Sequence, residues 1–389
     1  MTTVALFNCT GAAPHVGCLA VTDAHDRMLA ARGVRVLHRH GVGQLRDLWT
    51  GDRAGSLRAV AASPVAAHLA AADAVVVNGE GTIHHGAGLH LLSILEAALD
   101  MGKPALLVNA VLQDLPDHHD TLARLTDLTV RDAASASYLL AFGIPHRLVP
   151  DSILAAAFGD APGTDLGGRV VLTDIHPALV AELAPALDAL SAALGDSAAA
   201  YPLSHPARRT DWRSAVATFR TASVVVTGRH HGVYLAALAG VPFVALPSNS
   251  WKVEGTLALF GERPRVCRDP RTLTEAVRAA ARERGLFADF GAFLRSHTPL
   301  TTFDRLPPSR VASAPSAHAV PAPYTVASAE RERAGASAKG PCTSGPASNP
   351  SAPGPPLRAA GGAAPLTADA MILGHASPMK RKRGFADVI

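Results

Sequence analysis

Ser223-Val-Val-Val-Thr-Gly-Arg229-His230-His231-Gly232-Val-Tyr-Leu-Ala-Ala-Leu-Ala-Gly240-Val-Pro-Phe-Val-Ala-Leu246 is the stretch that decides how this chain folds. An apolar run short enough for a buried strand meets a turn with one arginine and two histidines. A small-residue helix, a Gly-x-Pro break and a second apolar run follow. This is one βαβ unit of a parallel sheet. It sets three cationic or titratable side chains at a strand's carboxyl end and a helix N-terminus, where free backbone N–H groups and the helix dipole favour a bound anion. The plain alternative is a helix-starting turn with solvated polar residues.

The same alternation runs outward in both directions. Strands are expected at Val4 to Asn8, Val34 to His38, Asp73 to Asn78, Pro104 to Val108 and Leu128 to Val130, with helices at Ala20 to Arg32, Gly88 to Met101 and up to Gly143. A second series holds strands at Arg169 to Thr173 and Ala199 to Leu203. Its helices are expected at Ala178 to Leu194, Trp212 to Thr221, Val253 to Phe260 and Thr272 to Arg284. Asp, Pro and Gly gather between Asp151 and Gly168, where a domain boundary is expected. The fold class is therefore α/β, as two Rossmann-like doubly wound domains facing a cleft: residues 1–155 on the acceptor side and 165–300 on the donor side. Residues 307–389 are rich in Pro, Ala, Ser and Gly and poor in large apolar side chains, so this tail is expected to be disordered.

Composition narrows the function class. Hydrophobic residues make up 48% of 389 and the formal net charge is +4, so most of the chain has the makings of a packed core. Arginine is scattered through the first three hundred residues, which argues against a nucleic-acid partner. The run Lys380-Arg-Lys-Arg383 is read as a solvated cluster, with peripheral association at an anionic membrane surface as its alternative. Cys9, Cys18, Cys267 and Cys342 lack the spacing of a zinc or disulfide framework, as expected of a cytoplasmic protein. No signal peptide or uninterrupted apolar span is expected.

Two further blocks carry candidate chemistry. In Asn78-Gly79-Glu80-Gly81-Thr82-Ile-His84-His85-Gly86, glycines after a buried strand allow the backbone to approach a ligand closely. Glu80 and the histidines suit proton transfer, and adjacent histidines diverge, so at most one faces the cleft. The block lacks the lysine of a phosphate-binding loop and the HExxH pattern of a zinc site, and no metal is expected. The plain alternative is a tight turn with no ligand. In Arg131-Asp132-Ala-Ala-Ser135, arginine ends a strand where it can hold an anion, while Asp132 caps the next helix or pairs with the arginine.

Taken in order, these blocks resemble the polysaccharide pyruvyl transferase family. The resemblance rests on Asn78-Gly79-Glu80-Gly81, on Arg131-Asp132-Ala-Ala-Ser135 running to Gly143 and the pair Pro150-Asp151, and on Arg229-His230-His231-Gly232 running to Gly240-Val-Pro242, with Lys252 downstream. It covers roughly Val4 to Gly285. It implies a GT-B-like fold and transfer of a pyruvyl group from phosphoenolpyruvate to hydroxyls of a sugar or glycan precursor, forming a ketal without a cofactor. It also implies that Arg131, Arg229 and His231 meet the donor's phosphate and carboxylate. Asn78, Gly79, Gly81, His230, Gly232 and Lys252 are expected to line the substrate, His231 to act as donor or general acid, and Glu80 or His84 to serve the acceptor hydroxyl. The family's Gly-Gly-Gly turn is here Gly79-Glu80-Gly81, and its N-terminal Gly-rich turn is Asn8-Cys-Thr-Gly-Ala-Ala-Pro-His15-Val-Gly17. Alternative readings are a glycosyltransferase using a nucleotide-sugar and a non-enzymatic sugar-phosphate-binding protein.

Overall fold

The computed structural model describes residues 1–81, 83–159, 161–204, 212–261 and 263–307. The expected tail of 307–389 lies, past its first residue, outside the described residues.

Strands β1 (Thr3–Cys9), β2 (Arg35–Gly41), β3 (Ala74–Asn78), β5 (Ala105–Ala110), β7 (Asp127–Val130) and β8 (Arg147–Leu148) form one sheet in the order β2-β1-β3-β5-β7-β8. Every pairing in it is parallel. β3 and β5 are buried along their whole length, which explains why they read as unbroken apolar runs instead of alternating ones. Its helices are α1 (Val16–Ala31), α2 (Arg53–Ala62), α3 (Pro64–Ala71), α4 (Leu89–Asp100), α5 (His119–Ala123) and α6 (Ala133–Ala141). The pair α2 and α3 was not anticipated, because their Ala-rich sequence has little helical periodicity. Their caps were nevertheless legible: Asp52 accepts from Gly55 N, and Ser63 precedes Pro64 at the first helical position.

The second sheet orders β9 (Val170–Leu172), β10 (Ala198–Ala200), β11 (Val224–Thr227) and β12 (Phe243–Ala245) as β10-β9-β11-β12, again all parallel. Its helices are α7 (Val180–Leu194), α8 (Ala215–Phe219), α9 (His230–Ala239), α10 (Lys252–Leu257), α11 (Leu273–Arg282) and α12 (Arg284–Ser296). The segment Pro177–Ser197 has the length and mean hydropathy, 1.4, of a membrane-crossing helix, which the sequence reading did not foresee. It nevertheless contains Pro185 and is the crossover between the paired strands β9 and β10, a connection that keeps both its ends at one sheet.

A short pair, β4 (Ile83–His84) with β6 (Leu112–Gln113), stands apart from both sheets. It could not be read from two-residue segments, yet it fixes where His84 points.

The halves are stitched together by α1. Its N-terminal Val16, Ala20 and Val21 belong to the core of the second sheet, while Ala24, Met28 and Leu29 belong to that of the first. The chain also returns to the first half after α12: Phe303 and Leu306 pack with Val4 and Leu6, and Thr2 Oγ1 donates to Pro307 O at 3.1 Å.

Candidate active site

The carboxyl ends of β1, β3 and β7 meet the N-terminus of α9 at the seam between the sheets. α9 starts directly after β11, with Arg229 in extended conformation as its N-cap and no side chain capping its amides. The close packing here has a steric cause. A Cβ on Gly232 would lie 2.1 Å from Thr227 Oγ1, and one on Gly17 would lie 2.0 Å from His231 Nδ1. The first glycine lets the helix begin against its own strand. The second lets the His231 ring pack directly against the start of α1. Gly79, expected at the substrate, has a similar packing reason, since its Cβ would meet Ala110 Cβ at 2.5 Å.

Asp151 is the centre of charge. It is fully buried, ion-paired with Arg131, and 3.1 Å from His230 Nε2 and 3.6 Å from His231 Nε2. Burial alone would raise its pKa, but Arg131 and the two histidines outweigh that and hold it well below the usual carboxylate range. Arg131 is 1% exposed, so the cation expected to clamp a substrate is already neutralised by a protein carboxylate, which a desolvated guanidinium requires. His230 is likewise committed: its ring lies between Asp151 and the carbonyl of Lys252, at 3.2 Å from Nδ1. Both ring nitrogens meet protein oxygens, which removes it from the substrate-lining set. Burial and Arg131 push its pKa down to about 3.

A less buried layer surrounds this centre. His231 Nε2 lies 3.6 Å from Glu80 Oε1. Glu80 Oε2 accepts from Thr10 Oγ1 at 2.8 Å and Asn78 Nδ2 at 3.3 Å, so Asn78 orients the carboxylate from the end of β3. Asn78 is itself held by Asn8, whose Nδ2 donates to its carbonyl at 2.7 Å. Gly81 takes φ +64 just past Glu80, the left-handed turn that glycine permits. Arg229 pairs with Asp174 at 2.6 Å and remains partly exposed. Lys252 Nζ donates to Asn249 Oδ1 at 2.6 Å, and burial, Arg131 and Arg229 lower its pKa to about 7. His15 caps α1, its Nδ1 accepting from Gly17 N at 3.0 Å, and burial and His231 keep it well below its ordinary value. The ring is neutral with its proton on Nε2 and so offers a donor.

The two adjacent histidines diverge. His84 is 6% exposed and its Nε2 lies 3.2 Å from Asn249 Nδ2, whereas His85 turns outward to Asp114 at 2.7 Å. Asp132 caps α6 by accepting from Ser135 N at 2.9 Å, and burial raises its pKa to about 6.

Among the described residues, two triads bring metal-ligating atoms within 4.8 Å of one another, Asp151 with His230 and His231, and His15 with Cys18 and His231. In the first, the guanidinium of Arg131 already occupies the cation's side of Asp151. In the second, the cap bond leaves His15 a donor, and burial followed by Glu80 keeps the Cys18 thiol protonated. Neither donor set is ready to bind a metal.

Asp151, Asp174, His15, Cys18, Thr10 and Asn249 were not singled out as site residues from the sequence. Asp151 carried a local signal, as the second residue of a Pro-Asp pair directly after a strand, and Thr10 and His15 lie in the N-terminal Gly-rich turn.

The arrangement sets cationic side chains beside the Glu80 carboxylate and the neutral rings of His15 and His84. The pKa of Lys252 is depressed by burial first and then by Arg131 and Arg229, with the nearby Glu80 acting in the opposite sense. The sequence profile described as polysaccharide pyruvyl transferase matches residues 26–250. The chain belongs to the polysaccharide pyruvyl transferase family. It is an enzyme of that kind by this membership, and the matched span contains Glu80, Arg131, Arg229 and His231. No curated protein matches the chain.

Among solved structures, it is similar to a candidate UDP-N-acetylglucosamine 2-epimerase from Listeria monocytogenes. Identity there is 13% over 78% of this chain and 94% of the other, with a TM-score of 0.55. The glycotransferase of kitacinnamycin gives 14% identity over 79% and 99%, with a TM-score of 0.51. UDP-GlcNAc 2-epimerase from Neisseria meningitidis, bound to UDP-GlcNAc, gives 10% over 78% and 98%, also at 0.51. At these identities the likeness establishes the fold, which is GT-B-like with two parallel sheets.

Proposed function

We propose that the enzyme transfers the pyruvyl group of phosphoenolpyruvate to hydroxyls of a sugar or glycan precursor, releasing phosphate and leaving a ketal. The observation that carries this reading is Lys252. A buried ammonium whose pKa falls to about 7, through burial first and then through the two arginines beside it, marks a place where an added anion is favourable. Phosphoenolpyruvate brings a phosphate and a carboxylate together.

In the mechanism, Lys252, Arg229, His15 Nε2–H and the first amides of α9 receive the donor's anionic groups. Arg131, buried and paired with Asp151, adds to the charge beside Lys252 without touching the donor. The methylene carbon of the enol takes a proton from His231, the first sugar oxygen attacks the adjacent carbon, and phosphate leaves with the proton of the second hydroxyl when that oxygen closes the ketal. His231 stands between Glu80 and Asp151 as the proton donor on the phosphate side, and Glu80 takes the proton of the attacking hydroxyl. No cofactor is needed for this sequence of steps. Free thiols at Cys9, Cys18 and Cys267 support a cytoplasmic setting.

Arg229→Ala is expected to abolish phosphate release from phosphoenolpyruvate in the presence of a glycan acceptor pool. Retained turnover would sink the assignment of Arg229. Because the fold is shared with proteins that bind nucleotide-sugars, UDP-sugars are the control donors. Stabilisation by a UDP-sugar and not by phosphoenolpyruvate in a thermal-shift titration would favour glycosyl transfer instead.

A further inference from the structure

Asn249 lies in the loop after β12 and touches both halves of the site. Its Oδ1 accepts from Lys252 Nζ at 2.6 Å and from Ser248 Oγ at 3.5 Å, while its Nδ2 lies 3.2 Å from His84 Nε2. Two donors at one end of the amide decide which end is oxygen, because the inverted amide would set its NH2 against an ammonium. Nδ2 therefore donates and His84 Nε2 accepts. The His84 ring is neutral, since burial, Lys252 and His85 lower its pKa to about 4, so its one proton lies on Nδ1. That atom is buried without a partner at close hydrogen-bond distance, while the Gly81 backbone acts on the ring in the sense that favours its N–H. With Nε2 occupied and Nδ1 protonated, the ring has no lone pair with which to act as a base.

We propose that Asn249 is a positioning residue that holds His84 as its Nδ1–H tautomer, making His84 a hydrogen-bond donor to the sugar's attacking oxygen and leaving Glu80 as the base. The inference rests on the pyruvyl-transfer reading. The proton balance is simple: the hydroxyl's proton goes to the Glu80 carboxylate, and His84 keeps its own throughout. The chain Lys252–Asn249–His84 also links the donor-side half to the acceptor-side half, so the tautomer is correct only when both halves are in register.

Nitrogen-15 shifts of histidine-labelled full-length protein, with His84 assigned through His84→Gln, test this directly at pH 7.5. The wild type is expected to show His84 protonated at Nδ1, and Asn249→Ala a mixture of tautomers. In the same variant kcat should fall by about 10- to 100-fold, the loss of a charge-linked hydrogen bond, while KM for phosphoenolpyruvate stays within about twofold. Asn249→Asp offers an acceptor to both neighbours. It should therefore move the His84 proton to Nε2 and shift the alkaline limb of the pH profile upward, as a carboxylate joins Glu80 against Arg131 and Arg229 around Lys252. A wild-type His84 protonated at Nε2, or an Asn249→Ala protein that keeps the Nδ1–H tautomer and full kcat, overturns the proposal. The tautomer is read without substrate, so a protein that does not consume phosphoenolpyruvate refutes the donor reading and leaves this result standing.

Discussion

Donor binding should draw protons from solution, and Lys252 sets how many. With its pKa at about 7, the side chain is half protonated at neutral pH in the free enzyme. An anionic oxygen about 4 Å from the ammonium, at an effective dielectric of about 20, gains about 4 kcal/mol. That is equivalent to about three pKa units, so the donor-bound lysine stays protonated to about pH 10. Binding then takes up about half a proton at pH 7 and about nine-tenths at pH 8. Affinity for phosphoenolpyruvate correspondingly falls about tenfold for each pH unit above 7. Titration calorimetry in buffers of different ionisation enthalpy measures the uptake directly. Near-zero uptake at pH 8, or the same uptake in Lys252→Met, would show that this lysine does not face the donor and would refute the reasoning.

The other predictions concern the price of the site in stability and geometry. Lys252→Met should raise unfolding stability at pH 7 by about 2–4 kcal/mol, because a lysine pushed from 10.5 to about 7 carries a burial penalty of several kcal/mol, offset in part by its bond to Asn249. The sign follows from linkage. The folded pKa lies below the unfolded one, so the penalty is full below pH 7 and is relieved as pH rises toward 10.5, and the gain measured by denaturant melts should shrink over that range. Asp151→Asn leaves Arg131 buried without its counter-charge and should cost about 3–5 kcal/mol; a midpoint unchanged in urea would contradict that accounting. Gly17→Ala should displace the His231 ring, since the new Cβ would stand 2.0 Å from its Nδ1, and activity should drop far more than melting temperature.

Much of this protein was written in local sequence, and the reason is that parallel sheets covered on both faces leave a plain mark. Val75 to Val77, Leu106 to Val108 and Val224 to Val226 are buried all round and could not be polar on either side, so runs of apolar residues named the strands. The turns after them named the site's neighbourhood, because Arg131, Glu80 and Arg229 stand where strands end and only a ligand or a buried partner makes such residues tolerable there.

Which of those two it is, partner or ligand, was decided by residues distant in sequence. Arg131 meets Asp151 and His231, 20 and 100 residues away, and His84 meets Asn249 across 165. No periodicity or spacing records such pairings, since the first joins the ends of neighbouring strands β7 and β8 and the others join the two halves. The sequence by itself determined two parallel sheets with a cationic turn after β11 and a carboxylate after β3. Only the tertiary structure decided that Arg131 and His230 are committed to Asp151 and that Lys252, Arg229, His231 and Glu80 gather around them, because charge neutralisation in a buried seam depends on three-dimensional neighbours.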